Sequence, residues 1–331
     1  MRRRKFLAAL GGAVASPSIA WGQQPTTRLR RMAVLMGYAN NDPIVERGLA
    51  GLLRGLDQIG WRVGANLQIE YRWTDASVEA ARQAAQELVD LKPDLILTAT
   101  TPATAAVKQQ TTSIPIVFVM VSDPVGAGFV ETLARPNGNI TGFINFEDAI
   151  GGKWLELLME IAPTVKQVVI MFNPNTAPGH GEYFLPSFLA AAGKMGVTAA
   201  PAKVHTADDV KRSIAALAEQ RGSGLVVMSD AFLVVHLNEV IKLSALYKIP
   251  TIYGLSSRAK EGGLISYSPD LPDLFERAAD YVNRILSGER PGELPVQTPI
   301  KYQLTINQKT AKALGLTVSP SLLAQADEVI E

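Results

Sequence analysis

Asp94-Leu95-Ile96-Leu97-Thr98 runs through a polar loop and a helical stretch into Ile114-Pro115-Ile116-Val117-Phe118. Further along, Gly224-Leu225-Val226-Val227-Met228-Ser229 runs through a loop and a helical stretch into Ile249-Pro250-Thr251-Ile252-Tyr253. Each phrase is a short apolar strand, a loop, a helix, and a second strand opened by Ile-Pro. Proline at a strand's first position gives up its N–H where the ladder needs it least. A chance recurrence of a common βαβ phrase is one reading. The preferred reading is two lobes of one type, the first ending near Gly142 and the second beginning near Gly151.

The rest of the chain has the same rhythm. Strands are predicted at 32–36, 67–73, 94–97 and 116–121, and again at 168–172, 198–204, 225–228, 251–253 and 264–267. Helical stretches lie between them at 44–59, 78–91, 154–161, 207–219 and 237–247. That alternation predicts βαβ units around parallel sheets. In the first helix Leu52, Leu53 and Leu56 supply an apolar stripe, with Arg47, Arg54 and Asp57 on the other side. The near-continuous apolar run from Ile116 to Val121 predicts a strand covered on both faces.

The N-terminus reads as an export signal. Met1-Arg2-Arg3-Arg4-Lys5-Phe6-Leu7 is a basic head, followed by a short apolar segment and a small-residue exit at Ala20-Trp21-Gly22, with a cut expected before Gln23. Consecutive arginines ahead of Phe-Leu favour the twin-arginine route. The expected location is therefore periplasmic. Removing Arg2, Arg3, Arg4 and Lys5 takes the formal charge from +1 to −3. A weakly acidic chain lacks the basic stripe that phosphate backbones require, so nucleic acid is not an expected partner. The sequence has no cysteine, which excludes disulfides, thiolate chemistry and Cys-ligated metals.

Open parallel sheets bind ligands at the carboxyl ends of their strands, and two lobes facing each other along those edges make a cleft. The loop Thr98-Ala99-Thr100-Thr101-Pro102-Ala103-Thr104 is the most pointed candidate. Thr101 reads as the N-cap and Pro102 as the first helical residue. Free helix amides beside threonine hydroxyls suit an anion, most naturally a carboxylate, unless the threonines merely cap. Thr100, Thr101, Pro102 and Ala103 are thus candidate binding residues. Ser122 and Asp123 follow the next strand; Asp123 either accepts from a ligand or turns the chain ahead of Pro124. Ser229 and Asp230 are their counterparts in the second lobe. Tyr38 offers an aromatic wall after the first strand, and Asn173 stands after residues 168–172. Tyr253 and Tyr267 end later strands and either stack on a ligand or pack.

Catalytic and metal signals are weak. His180, His205 and His236 are scattered and match no metal spacing, and no dinucleotide loop, P-loop or nucleophile elbow is present. No catalytic residue, metal or cofactor is expected, and the chain does not read as an enzyme.

The chain resembles a known family, that of ABC transporter periplasmic substrate-binding proteins, tryptophan- and tyrosine-type solute-binding proteins among them. The resemblance covers nearly the whole length. It is carried by Ile69-Glu70-Tyr71-Arg72-Trp73, Thr101-Pro102-Ala103, Ile114-Pro115-Ile116-Val117-Phe118, Asp123-Pro124-Val125 and Arg135-Pro136-Asn137-Gly138-Asn139-Ile140-Thr141-Gly142. Thr310-Ala311-Lys312-Ala313-Leu314-Gly315-Leu316, Pro320-Ser321-Leu322-Leu323-Ala324 and Ala326-Asp327-Glu328-Val329-Ile330 complete it.

The resemblance implies an α/β type I periplasmic-binding-protein fold: two doubly wound parallel-sheet lobes joined by a three-segment hinge. Lobe I is expected at 30–143 and 265–297, lobe II at 144–264 and 298–331, with 264–267 and the following helix 271–286 returning to the first lobe. The expected function is capture of a small organic solute, an amino acid or aromatic acid, by hinge closure. The expected partners are that solute and an inner-membrane ABC permease with its cytoplasmic ATPase, the receptor itself being a monomer. The alternatives are a periplasmic sensor feeding a membrane kinase or chemoreceptor, and an exported enzyme on the same scaffold. A sugar-responsive repressor core shares the architecture, but no helix-turn-helix precedes Met32.

Overall fold

The computed structural model describes residues 29–75, 77–255 and 258–331, so the export-signal reading at 1–22 lies outside the described residues. The first lobe alternates β1 (Arg30–Met36), α1 (Pro43–Gln58), β2 (Leu67–Trp73), α2 (Val78–Asp90), β3 (Leu95–Ala99), α3 (Thr101–Gln110), β4 (Ile116–Val121) and β5 (Ile140–Ile144). Its five strands are parallel, in the order β2-β1-β3-β4-β5. All six residues of β4 are buried, because helices cover both faces of the sheet.

After a crossover, the second lobe runs α4 (Ile150–Ile161), β6 (Gln167–Phe172), α5 (Leu185–Met195), β7 (Thr198–Lys203), α6 (Ala207–Ala218), β8 (Ser223–Val227), α7 (Ala231–Leu246), β9 (Thr251–Tyr253) and β10 (Ile265–Pro269). Helix α8 (Leu271–Leu286) then crosses back. The chain finishes with β11 (Tyr302–Asn307), α9 (Gln308–Ala313), α10 (Pro320–Gln325) and β12 (Glu328–Ile330) on the second lobe. The second sheet is ordered β12-β11-β10-β9-β8-β6-β7. Within it, β7-β6-β8-β9-β10 repeats the strand order of the first lobe. The two Ile-Pro phrases occupy equivalent places: Ile96 N–H donates to Pro115 O at 2.9 Å, and Leu225 N–H donates to Pro250 O at 2.9 Å. Each proline lacks a donor but keeps its carbonyl, so it starts the ladder by accepting.

Helix α8 completes the first lobe. Leu274, Phe275, Ala278, Val282 and Ile285 share a buried cluster with Val45, Leu52 and Leu56 of α1. Burying each of the Leu, Phe, Val and Ile side chains here contributes roughly 1.5–3 kcal/mol. Leu53 is 38% exposed and does not join the stripe expected of it. The contact face uses glycine instead: a Cβ on Gly51 would stand 2.4 Å from Pro272 O. That close approach of two helix backbones is a long-range fact that periodicity does not carry.

The return to the first lobe starts later than expected. Strand β10 pairs with β9 and, antiparallel, with β11, so residues 265–269 belong to the second sheet. Only from Asp270, the N-cap of α8, does the chain cross. Gln297 then ties back to the first lobe, donating to Gly142 O and accepting from Ile144 N, both at 2.9 Å. Strand β5 escapes sequence reading because Gly142 interrupts it. The structure needs that glycine, since a Cβ there would fall 2.0 Å from Phe118 O.

Candidate functional site

The carboxyl ends of β1, β3 and β4 set Tyr38, Thr100 and Asp123 in a row along the first lobe's inner edge. Helix α3 starts one residue earlier than expected. Thr100 is its N-cap, so Thr101 and Pro102 are the first two helical residues, and no side chain caps the exposed amides. Thr100 sits at φ 89° and ψ 154°, a region that disfavours a side chain. Its backbone is held regardless: its N–H donates to Val119 O at 3.1 Å, and its carbonyl accepts from the Thr104 hydroxyl at 2.8 Å. Thr104 also shares a 2.8 Å hydrogen bond with the Thr98 hydroxyl in the core. Gly37 makes room for Thr100, because a Cβ on Gly37 would stand 2.1 Å from its Oγ1. Ala103, proposed from sequence as a binding residue, is fully buried and offers no surface to the cleft.

Asp123 takes the turning role foreseen for it. Its Oδ1 accepts from Gly126 N–H at 2.7 Å, which turns the chain. Its Oδ2 faces the second lobe: a Cβ on Gly179, in the 3₁₀ turn Pro178–Gly181 after β6, would stand 3.6 Å away. Ser122 is buried and donates to Asn145 Oδ1 at 2.9 Å, fastening the first lobe to the start of the crossover.

On the second lobe, Asn173 and Asp230 hold each other's loops. Asp230 caps α7 and is 4% exposed; its carboxylate accepts from Leu233 N–H at 2.8 Å, Asn173 N–H at 3.0 Å and the Thr176 hydroxyl at 3.0 Å. Burial keeps its pKa above the ordinary carboxylate value even though these donors pull it down. These bonds commit Asp230 to its own lobe, where the sequence suggested a ligand acceptor. Ser229 precedes it, half-buried. Tyr253 also departs from expectation. It is 1% exposed inside the core formed by Val227, Leu233 and Val240, so its ring has no cleft face. Tyr267 is half-buried and stacks on Tyr302, with centroids 5.1 Å apart and planes 13° from parallel.

Two residues that sequence reading passed over stand at the seam. Tyr183, after the 3₁₀ turn, donates to Phe146 O at 3.3 Å. Burial first, then the charges of Asp123, Asp148 and Glu147, push its phenol above the ordinary range. Arg258 follows β9; its side chain is 13% exposed. Its charge reaches Tyr38 across the cleft. Burial and Asp42 push the Tyr38 phenol up to about 12, and Arg258 opposes them.

The seam has a pattern. The loop after the first strand of each lobe faces the loop after the fourth strand of the other: Tyr38 faces Arg258, and Gly179 faces Asp123. The two pairs occupy places related by the pseudo-twofold equivalence of the lobes. Ser229 and Asp230 follow β8, the equivalent of β3, so they are not the counterparts of Ser122 and Asp123 that the sequence suggested; the internal echo pairs β4 with β9, and that was the signal by which Arg258 could have been found as the counterpart of Asp123. Among the described residues no group of His, Asp and Glu could hold a metal, and no helix is long and apolar enough to cross a membrane. His180 Nδ1 lies 2.9 Å from Pro174 O, and His236 packs beside Phe232, ring centroids 4.4 Å apart.

A family profile described as ABC transporter substrate binding protein matches residues 41–330. The chain belongs to that family. The substrate-binding protein is 27% identical over 274 residues to the tyrosine-binding protein of Clostridioides difficile strain R20291, covering 83% of this chain and 78% of that one. Among solved structures it matches the ABC domain from Streptococcus pneumonia in complex with L-Trp, at 23% identity and a TM-score of 0.82, over 91% of this chain and 99% of that one. It also matches a ligand-free, open substrate-binding protein with adhesive properties from Clostridium difficile, at 26% identity and a TM-score of 0.73, over 91% and 99% of the two chains. The fold is the α/β type I periplasmic-binding fold, as expected.

Proposed function

We propose that this substrate-binding protein works outside the cytoplasm and captures an aromatic amino acid between its lobes. The lobes close on it, and the closed form presents it to an ABC permease. One observation carries the reading: the cleft is bipolar. Uncapped amides at the start of α3 supply donors at one end, where Arg258 is already paired with Glu261, and Asp123, with Glu147 and Asp148 near Tyr183, makes the other end negative. A zwitterion fits that polarity. Its carboxylate lies at Thr100 and Thr101, its ammonium at Asp123, and its flat side chain against Tyr38 and Tyr183. The names of two relatives, one binding tyrosine and one holding L-Trp, support the same ligand class.

Contacts from both lobes are what convert binding into closure, since a ligand shifts an equilibrium only by its differential affinity for the two states. Calorimetry of the mature chain with L-tyrosine and L-tryptophan tests the ligand class. Thr101→Asp places a like charge at the anion end and is expected to weaken binding at least tenfold; unchanged affinity removes the assignment of that end.

A further inference from the structure

Arg258 has a hydrogen-bonding surface that nothing in its own lobe uses. Both oxygens of Glu261 sit on its Nη1, each at 2.7 Å. Its Nε is buried without a partner. Elsewhere in the same molecule the opposite edge does the work: Arg54, Arg82 and Arg284 each present Nε and Nη2 together to one carboxylate. That edge has the fork geometry that matches two carboxylate oxygens. In Arg258, Glu261 has been placed on the other nitrogen. A buried guanidinium N–H left unpaired is costly, and such a group calls for a ligand rather than for packing.

Location narrows the ligand. Arg258 comes from the second lobe, yet its charge acts on the Tyr38 phenol of the first. Tyr38 follows Gly37, which is pressed against Thr100 at the head of α3. Arg258 itself follows β9, at the carboxyl edge of the second sheet, the edge that faces the first lobe. Asp123, at the equivalent position of the other lobe, carries the opposite charge.

We infer that Arg258 is the second lobe's grip on the ligand's carboxylate, and that Glu261 holds the guanidinium so that its Nε edge faces the cleft. This rests on the reading that the cleft takes a carboxylate-bearing solute. The acid group is then bound from both lobes at once, by backbone amides of α3 on one side and by Arg258 on the other. An analogue without the carboxylate loses the contacts that reward closure, so the protein rejects amines of the same shape.

Titration calorimetry with L-tryptophan and tryptamine, on wild type and Arg258→Gln, tests this. The wild type is expected to prefer L-tryptophan, and Arg258→Gln to lose about 10- to 100-fold in affinity for it, the size of a charge-assisted hydrogen bond. Tryptamine binding should hardly move, so the discrimination collapses. Equal affinity of wild type and variant for L-tryptophan, or an equal loss for both compounds, overturns the assignment. Arg258→Lys keeps the charge beside Glu261 but not the fork, and carries the same test should Arg258→Gln not fold: a loss confined to L-tryptophan supports the inference, and no loss overturns it. Failure of the wild type to bind L-tryptophan, L-tyrosine or any other aromatic acid overturns the proposed function itself, and the role of Arg258 with it.

Discussion

Asp123 and Arg258 stand at equivalent places in the two lobes and carry opposite charges. Each follows the fourth strand of its sheet, and each faces the loop after the first strand of the other lobe. Duplicated architecture supplies the symmetry, and divergence of one position in each copy breaks it electrically. Arg258 is paired with Glu261 whereas Asp123 turns its own loop, so the two equivalent positions offer a ligand different groups.

The proposed closure of the lobes should depend on the space at Gly179. Its φ is +55°, and a Cβ would already stand 3.6 Å from Asp123 Oδ2. Gly179→Glu sets a carboxylate against a carboxylate across the seam and adds left-handed strain of about 1 kcal/mol. Small-angle scattering is expected to show a larger radius of gyration than wild type with L-tryptophan present, with affinity down several-fold. Identical curves for the two proteins would show that the seam does not govern closure.

Asp230 is expected to matter for stability more than for binding. Asp230→Ala removes the cap of α7 and leaves the donors of Asn173, Thr176 and Leu233 unpaired in a buried site. The expected cost is about 2–4 kcal/mol in urea unfolding. Asp230→Asn, which can still cap, should recover part of it. A cost below about 1 kcal/mol for the alanine variant contradicts this account.

Alkaline pH should destabilise the fold. The Tyr38 phenol is held at about 12, against 10.0 for an unburied tyrosine, and Tyr183, Tyr253 and Tyr302 are raised in the same direction. A raised phenol keeps its proton in the folded state after the unfolded chain has lost its own. Stability is therefore flat below the unfolded pKa, then falls as pH rises from about 10 to about 12. Tyr38→Phe should reduce the slope of unfolding free energy against pH in that window; an unchanged slope contradicts the assignment.

Sequence by itself determined the parallel strands, most of their helices and the duplication of the lobes, because βαβ periodicity and the Ile-Pro phrases are local signals. It also picked out the loops of Tyr38, Thr100 and Asp123, which the structure sets side by side at the carboxyl ends of their strands, since loops at strand ends follow from topology. Tertiary structure decided the rest. Residues 265–269 stay in the second sheet because β11 pairs with them from far along the chain. Tyr253 turns into the core and Asp230 is consumed by three donors, because alternation tells which face a residue takes but not what covers that face. Arg258 gains its meaning only when two distant loops meet across the cleft: the charge of a residue is written in the sequence, but the partner it lacks is a property of packing.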